Sequence, residues 1–285
     1  MLNIEFYING SYNNPTGSYT SIKVESKNRM NYPYSKSYFA VLYDLMEFQF
    51  EDNNRRDILQ AITDFHYNLL GFARVKVRLN RAVDLLLQQE NEVYTSIAME
   101  YEDTLSHVEG KSEEDELYIH YMMSGVRDNY LLNMDDLELE KALLHKGIVI
   151  SVYSSLEDTV LKLTSIITEI MQVSVSIDDI CKRDRGVFKY FKFLELGCGI
   201  DLSASKDRFF SDVYRWNRIR NQLVHVGDYI KTENTQLLKD LEDINISLKD
   251  RQKMNLSSEN IDSLLELVDE FLESIINACW IKLKS

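Results

Sequence analysis

Three residues near the end of one helical segment have types and spacing that suit the cleavage of RNA. They are Arg220, Asn221 and His225, in the stretch RIRNQLVH at 218–225. Cleavage by the ribose 2′-hydroxyl needs a proton acceptor, a proton donor for the leaving 5′-oxygen and positive charge on the transition state. Histidine transfers protons near neutral pH, and arginine stays charged and binds phosphate oxygens in a bidentate way. The motif therefore predicts metal-free RNA cleavage with no cofactor.

The helix that carries these residues is predicted to bury one face and to present the motif on another. Each helical residue turns by about 100°, so Asn221 and His225 share a face, together with Arg218. Arg220 lies to one side of this face, with a side chain long enough to curl back towards the imidazole. The opposite face is a predicted buried stripe at steps of three and four: Val213, Trp216, Ile219, Leu223 and Val226. A solvated polar face, with His225 bound to a neighbouring carboxylate, is the alternative interpretation.

Positive charge is concentrated before and within this helix, although the net charge of the chain is −14. From Lys182 to Arg220 there are ten Lys and Arg residues and five Asp and Glu residues, which gives a net charge of +5 and leaves −19 for the remainder. Local positive charge favours a phosphate ligand. Within this segment, Arg215 and Arg218 are predicted to bind the substrate.

The motif also has a wider context in residues 136–285. Two segments precede the motif Arg220-Asn221-x3-His225: first SVYSSLEDTVLKL and then KYFKFLELGCGIDLS. A hairpin and a terminal amphipathic segment follow it. This order of segments resembles the HEPN superfamily. The resemblance implies a metal-independent endoribonuclease that is a homodimer with both motifs at the shared interface. Proteins of this kind are common as toxins and anti-phage defence effectors. Arg220 would stabilise the scissile phosphate, His225 would transfer protons and Asn221 would orient them.

The resemblance has three further implications. RNA would be the ligand, and a protein regulator or antitoxin would be a further partner. The acidic residue that contacts the motif arginine would be Glu157 or Asp158. Either residue is equally well explained as an ordinary solvent-exposed acid on a helix. The toxin subset paired with a nucleotidyltransferase antitoxin is disfavoured, because Gly227 stands where that subset has a tyrosine.

The elements that position the motif are predicted to be mostly helical, because the chain has only 2 prolines and 10 glycines. Two antiparallel helices are expected over residues 54–108, with a break near Gly71 or at 88–92, and a long helix is expected to open at Asp135 and Asp136. A shorter helix would end at the glycines of 197–199, and the motif helix near Gly227. A hairpin around 249–252 would precede a last helix capped by Ser257 or Ser258.

The predicted fold class is an all-α bundle of long helices, with an HEPN-like four-helix unit at the C-terminal end and minor β-hairpins before the last helix and within the first 35 residues. The expected domains are residues 1–135, mainly helical, and residues 136–285. The three cysteines lack zinc spacing and indicate reduced thiols, and no metal site is expected. No apolar run or leader is recognisable, so a cytoplasmic protein without membrane contact is expected.

A second function, from a different class, is compatible with the same sequence. The N-terminal half is acidic, and a helical bundle with a motif-like polar face can serve as a non-catalytic interaction or scaffold module that binds a protein partner. RNA cleavage that is lost on substitution of His225 and Arg220 would distinguish the two.

Overall fold

The computed structural model describes residues 52–107 and 112–284, and in these ranges the chain is an all-α bundle with one small hairpin, as the sequence predicts. The N-terminal β-hairpin expected within the first 35 residues lies outside the described residues. The described elements are α1 (Asp52–Ser106), α2 (Glu113–Ile170), α3 (Ile177–Ile180), α4 (Val187–Leu196), α5 (Ser203–His225), α6 (Thr235–Asp243), β1 (Ser247–Lys249), β2 (Lys253–Asn255) and α7 (Ser258–Lys284).

Helices α1 and α2 are each longer than predicted, at 55 and 58 residues, and run antiparallel. Their direction follows from cross-helix contacts: the Tyr101 hydroxyl lies 2.9 Å from His120 Nδ1, and Asn68 Nδ2 donates to Ser155 Oγ at 3.3 Å. The predicted break near Gly71 or at 88–92 is wrong, because a single glycine costs a helix only about 1 kcal/mol when the neighbouring turns pack.

The predicted start of a helix at Asp135 and Asp136 is also wrong. Helix α2 begins at Glu113, and the backbone N–H of Ser112 donates to the Asp115 carboxylate at 3.3 Å. Paired acids are typical of a first helical turn, but they are equally acceptable on the exposed face of a helix interior. The expected domain boundary at 135/136 therefore lies inside α2.

The hydrophobic core is built between the first half of α1, the second half of α2, and helices α4, α5 and α7. Its largest fully buried side chains include Phe65, Leu156, Phe191 and Phe271. The three buried cysteines are free thiols. Within the described ranges, no helix is both long enough and apolar enough to cross a membrane.

The elements after the core helices largely follow their local sequence signals. Helix α4 ends at Leu196 with Gly197 as its C-cap, and β1 pairs with β2 in antiparallel register with Leu248 opposite Met254. Ser257 caps α7, since its Oγ accepts from the N–H of Asn260 at 3.3 Å. The predicted glycine stop, hairpin and serine cap are thus confirmed. Helices α3 and α6 were not anticipated.

Candidate functional site

Helix α5 presents the motif much as its periodicity predicts. Val213, Trp216, Ile219 and Leu223 are buried. Val226 is the exception, because it is 62% exposed and the prediction that it joins the stripe is wrong. The last helical residue is His225, and the chain turns away at Gly227, whose φ of +95° suits a residue without a side chain. Val226 follows the last helical residue, so it does not continue the buried face of α5.

Arg220 is held in place by its neighbour and by helix α2. One terminal guanidinium nitrogen donates to Asn221 Oδ1 at 3.0 Å, and the other lies 3.5 Å from Ser154 Oγ. Asn221 Nδ2 in turn donates to Asn217 Oδ1 at 3.4 Å. The buried Arg220 Nε has no hydrogen-bond partner among residues 52–107 and 112–284. The motif arginine is thus oriented by neutral groups and keeps a free donor.

Tyr153 lies beside Arg220 and was not anticipated as a site residue. Its side chain is 2% exposed, and its hydroxyl lacks a hydrogen-bond partner in the described part of the chain. Burial raises the pKa of Tyr153 well above its ordinary value, the negative charge of Glu157 adds to this, and the positive charge of Arg220 opposes it. A tyrosine in the apolar periodicity of α2 was the one available signal, and it resembles a simple core residue.

Of the two acids considered for support, Glu157 and Asp158, only Glu157 lies on the motif side of α2. It is half-buried, it acts electrostatically on Tyr153, and its Oε1 lies 3.5 Å from the place a Cβ would occupy at Gly186. Asp158 is exposed and pairs with Lys162 at 2.7 Å along the same helix. Glu157 makes no ion pair with Arg220.

The two arginines predicted to bind substrate are engaged with carboxylates, on helix α6 and, for Arg215, also on α5 itself. Arg218 forms a two-point contact with Asp240, with Nη2 donating to Oδ1 at 2.6 Å and Nε donating to the other oxygen. Arg215 donates to Asp212 at 2.5 Å and to Asp243 at 2.7 Å. Although burial raises the pKa of Asp240, the hydrogen bonds from Arg218 and Gln236 outweigh it and hold that pKa below its usual range.

Most of the local positive charge found in the sequence is neutralised in the same way. Six of the ten basic residues between 182 and 220 pair with carboxylates: Lys189, Lys192, Lys206, Arg208, Arg215 and Arg218. Arg220 is the one Lys or Arg residue of α5 without a carboxylate partner among the described residues. The described residues therefore offer one oriented guanidinium on α5 without a carboxylate partner, and the unpaired Lys182, Arg183 and Arg185 precede α4.

His225 lies at the very end of α5 with its side chain exposed to solvent. Within the ranges that the structure describes, it has no hydrogen-bond or ion-pair partner. It lies five positions after Arg220, which places the two about 140° apart around the helix and about 7.5 Å apart along it. The structure therefore brings Arg220 and Asn221 together, and leaves His225 exposed at the helix end, on the face of Asn221 and turned away from Arg220.

Exposed apolar residues flank His225 along the chain. Val224, Val226 and Tyr229 are 43%, 62% and 53% exposed. In the described part of the chain, no group of three or more His, Cys, Asp or Glu side chains is arranged to hold a metal ion.

This chain matches no protein-family model, no curated protein and no solved structure.

Proposed function

We propose that the protein is a metal-independent endoribonuclease that acts in the cytoplasm as a homodimer with a composite active site. One observation carries the proposal. Within residues 52–107 and 112–284, Arg220 is held by neutral partners and has no carboxylate partner, whereas the other three arginines of α5, Arg208, Arg215 and Arg218, each pair with one. A guanidinium kept in place but not neutralised is the arrangement that binding of a phosphate oxygen requires.

The residues have distinct roles in this proposal. Arg220 binds the non-bridging oxygens of the scissile phosphate and stabilises the charge that develops on them. His225 moves the protons: one leaves the 2′-hydroxyl as it attacks phosphorus, and one reaches the departing 5′-oxygen. The P–O5′ bond breaks, which leaves a 2′,3′-cyclic phosphate and a 5′-hydroxyl. Asn221 positions Arg220 through the 3.0 Å hydrogen bond to its amide oxygen.

Two features of the single chain favour a homodimer. One imidazole is poorly suited to be acid and base in the same step, and a second copy supplies another. In addition, the apolar residues around His225 are exposed in the single chain, and an interface would cover them. A second copy on this surface would enclose the motif within a drier site.

In this proposal Arg215 and Arg218 take a different role from the substrate binding that the sequence predicts. Their ion pairs favour a positioning role, in which they fix α6 against α5, over contact with the substrate. We extend the proposal, through the resemblance of the motif to HEPN proteins, to a toxin or anti-phage defence effector whose activity a protein regulator or antitoxin restrains.

The test is the cleavage of total RNA by purified protein in the presence of EDTA. His225→Ala and Arg220→Ala should each lower the rate by about 100-fold or more. The matched controls are His107→Ala and Arg183→Ala, which remove exposed side chains of the same types outside the motif; both should cleave like the unmodified protein. Equal activity in all four variants would rule out the proposed site.

A separate experiment tests the interface. Val226→Glu places a charge among the apolar residues around His225 and should shift the protein from dimer to monomer in sedimentation experiments. Val175→Glu changes a residue of similar type, 43% exposed and outside the motif, and should leave the dimer intact. A monomeric unmodified protein would contradict the composite site.

The alternative is a non-catalytic interaction module, and the distribution of charge favours it. The strongest negative charge lies in α1 and α2, far along the sequence from the motif. A folded, dimeric protein that leaves RNA intact in the assay above would support the module instead of the nuclease.

A further inference from the structure

The outer parts of α1 and α2, residues 84–107 and 112–144, form an antiparallel pair that we call the outer hairpin. None of its residues whose burial is described is buried. Between positions 84 and 144 the sequence holds sixteen Asp and Glu residues and three Lys and Arg residues, a net charge of −13 out of −14 for the whole chain. Almost the entire charge excess of the protein therefore belongs to an element that adds nothing to the core.

The two helices of the outer hairpin contact each other along one narrow seam. Tyr130 stacks on Tyr94 with ring centroids 4.5 Å apart, and Asn133 donates to Glu90 at 3.1 Å. The half-buried residues of α2 recur at steps of three and four, as in a two-stranded coiled coil: Ile119, Met123, Val126, Tyr130, Met134 and Leu137. This seam accounts for one face of α2 only.

A second apolar row runs along the opposite face of α2. At about 100° per residue its members lie about 180° from the seam. Their exposed fractions lie between 45% and 77%. We call this row the leucine stripe: Leu117, Tyr121, Leu132, Leu139 and Leu143. Large apolar side chains repeated at helical spacing on a surface mark an interaction site.

Acidic residues lie within and beside the leucine stripe. Asp128 and Asp135 fall on the same face of α2, and Asp136 lies on its border. Neither Asp128 nor Asp136 forms an ion pair with a Lys or Arg side chain within residues 52–107 and 112–284. Among the acids of the outer hairpin, Glu138 does so, with Lys249 at 2.9 Å. The leucine stripe therefore combines exposed apolar side chains with carboxylates on the same face of α2.

We infer that the leucine stripe docks a basic amphipathic helix of a partner protein, one with an apolar face flanked by Lys and Arg. Such a helix would cover the leucines with its apolar face and neutralise the unpaired carboxylates with its flanks. The charge of −13 repels nucleic-acid phosphates and anionic lipids. A second copy of the same stripe would bring two such charges together, which disfavours self-association at this face. The inference does not depend on RNA cleavage.

The test uses the full-length protein and a fluorescein-labelled model peptide of about 18 residues, long enough for a stable helix, with leucines at helical spacing and lysines elsewhere. Fluorescence anisotropy should show saturable binding that weakens as salt is raised. The double variant Leu132→Gln/Leu139→Gln should weaken binding about tenfold or more, since two buried apolar contacts are lost. A peptide with glutamate in place of lysine should not bind.

The matched control is Leu85→Gln/Leu86→Gln, which changes two exposed leucines on α1, outside the stripe, and should bind the peptide within about twofold of the unmodified protein. Circular dichroism confirms that each variant is folded. Equal loss in both double variants would overturn the inference, as would failure of the unmodified protein to bind the lysine peptide. Self-association that only the Leu132→Gln/Leu139→Gln variant abolishes would also overturn it, by identifying a second copy as the occupant.

Discussion

Arg218→Ala is expected to destabilise the protein, whereas Arg220→Ala, two residues away, is expected to leave its stability nearly unchanged. Asp240 is 1% exposed, and Arg218 donates to both of its carboxylate oxygens. After removal of Arg218, the buried carboxylate keeps one hydrogen bond, from Gln236 at 3.0 Å. An uncompensated charge would then remain inside the α5–α6 contact.

The size of the effect follows from burial. Removal of one partner of a fully buried ion pair costs about 3–5 kcal/mol. The Arg218 side chain is itself 40% exposed, so water screens the pair in part and we expect a loss of about 2–3 kcal/mol in the free energy of unfolding. Arg220→Ala removes one good hydrogen bond and one unsatisfied buried N–H, with a net cost of about 1 kcal/mol or less.

The assay is urea unfolding followed by the fluorescence of the buried tryptophans, Trp216 and Trp280. Asp240→Asn, which changes the carboxylate partner of Arg218, serves as the control. It leaves Arg218 free to reach water and should cost only about 1 kcal/mol. Because Arg218 lowers the folded pKa of Asp240, the contribution of the pair is present above the unfolded value of 3.8 and is lost as pH falls through the folded pKa.

Two results would refute this reasoning. One is an Arg218→Ala protein within about 0.5 kcal/mol of the unmodified protein at neutral pH. The other is a larger loss for Asp240→Asn than for Arg218→Ala. Either result would show that the ion pair does not secure α6 and would return Arg218 to the candidates for substrate binding.

Three further predictions concern buried polar groups. Burial raises the pKa of Asp269 to about 7, helped by Glu273 and Glu270, so the fold favours the protonated acid and the contribution of Asp269 to stability falls as pH rises from about 4 to 7. His66, 3.5 Å from Asp269, has its pKa lowered by burial to about 4 and contributes in the opposite direction. Asp269→Asn should gain stability relative to the unmodified protein over that range, by up to about 4 kcal/mol, and a constant difference from pH 4 to 8 would contradict this. Tyr153→Phe removes a buried hydroxyl that has no partner in the described ranges and should raise the unfolding free energy by up to about 1 kcal/mol; a loss above about 1 kcal/mol would reveal a hydrogen bond. The three free cysteines are buried, and burial raises the pKa of Cys279 to about 12. A disulfide reagent should therefore react slowly with the folded protein, whereas in urea it should react with all three thiols. Rapid reaction of the folded protein would disprove that the fold protects them.

Local sequence signals predicted the parts of the fold that depend on neighbouring residues. The buried stripe of α5, the glycine after α4, the β1–β2 hairpin and the Ser257 cap all follow from periodicity, turn chemistry or capping. The failures lie where local signals are ambiguous. A glycine at 71 and a polar stretch at 88–92 resemble a break, and paired acids resemble a helix start, but the antiparallel contact between α1 and α2 sustains both helices.

The site was only partly predictable for the same physical reason. Arg220, Asn221 and His225 follow from type and spacing in one helix. The carboxylate partners of Arg215 and Arg218 come largely from α6, a helix that local periodicity did not indicate. The ion pairs of these two arginines therefore could not be predicted from the sequence. Tyr153 and Ser154 are distant in sequence and reach Arg220 only because α2 packs on α5.

The most direct test of the central claim is the rate at which the dimeric protein cuts a single-stranded RNA in EDTA, compared with the same oligonucleotide lacking 2′-hydroxyls. We predict that the RNA is cut to products with 5′-hydroxyl ends, that the 2′-deoxy oligonucleotide stays intact and that His225→Ala cuts neither. Uncut RNA with folded, dimeric protein, or equal cleavage of both oligonucleotides, would contradict the proposed function.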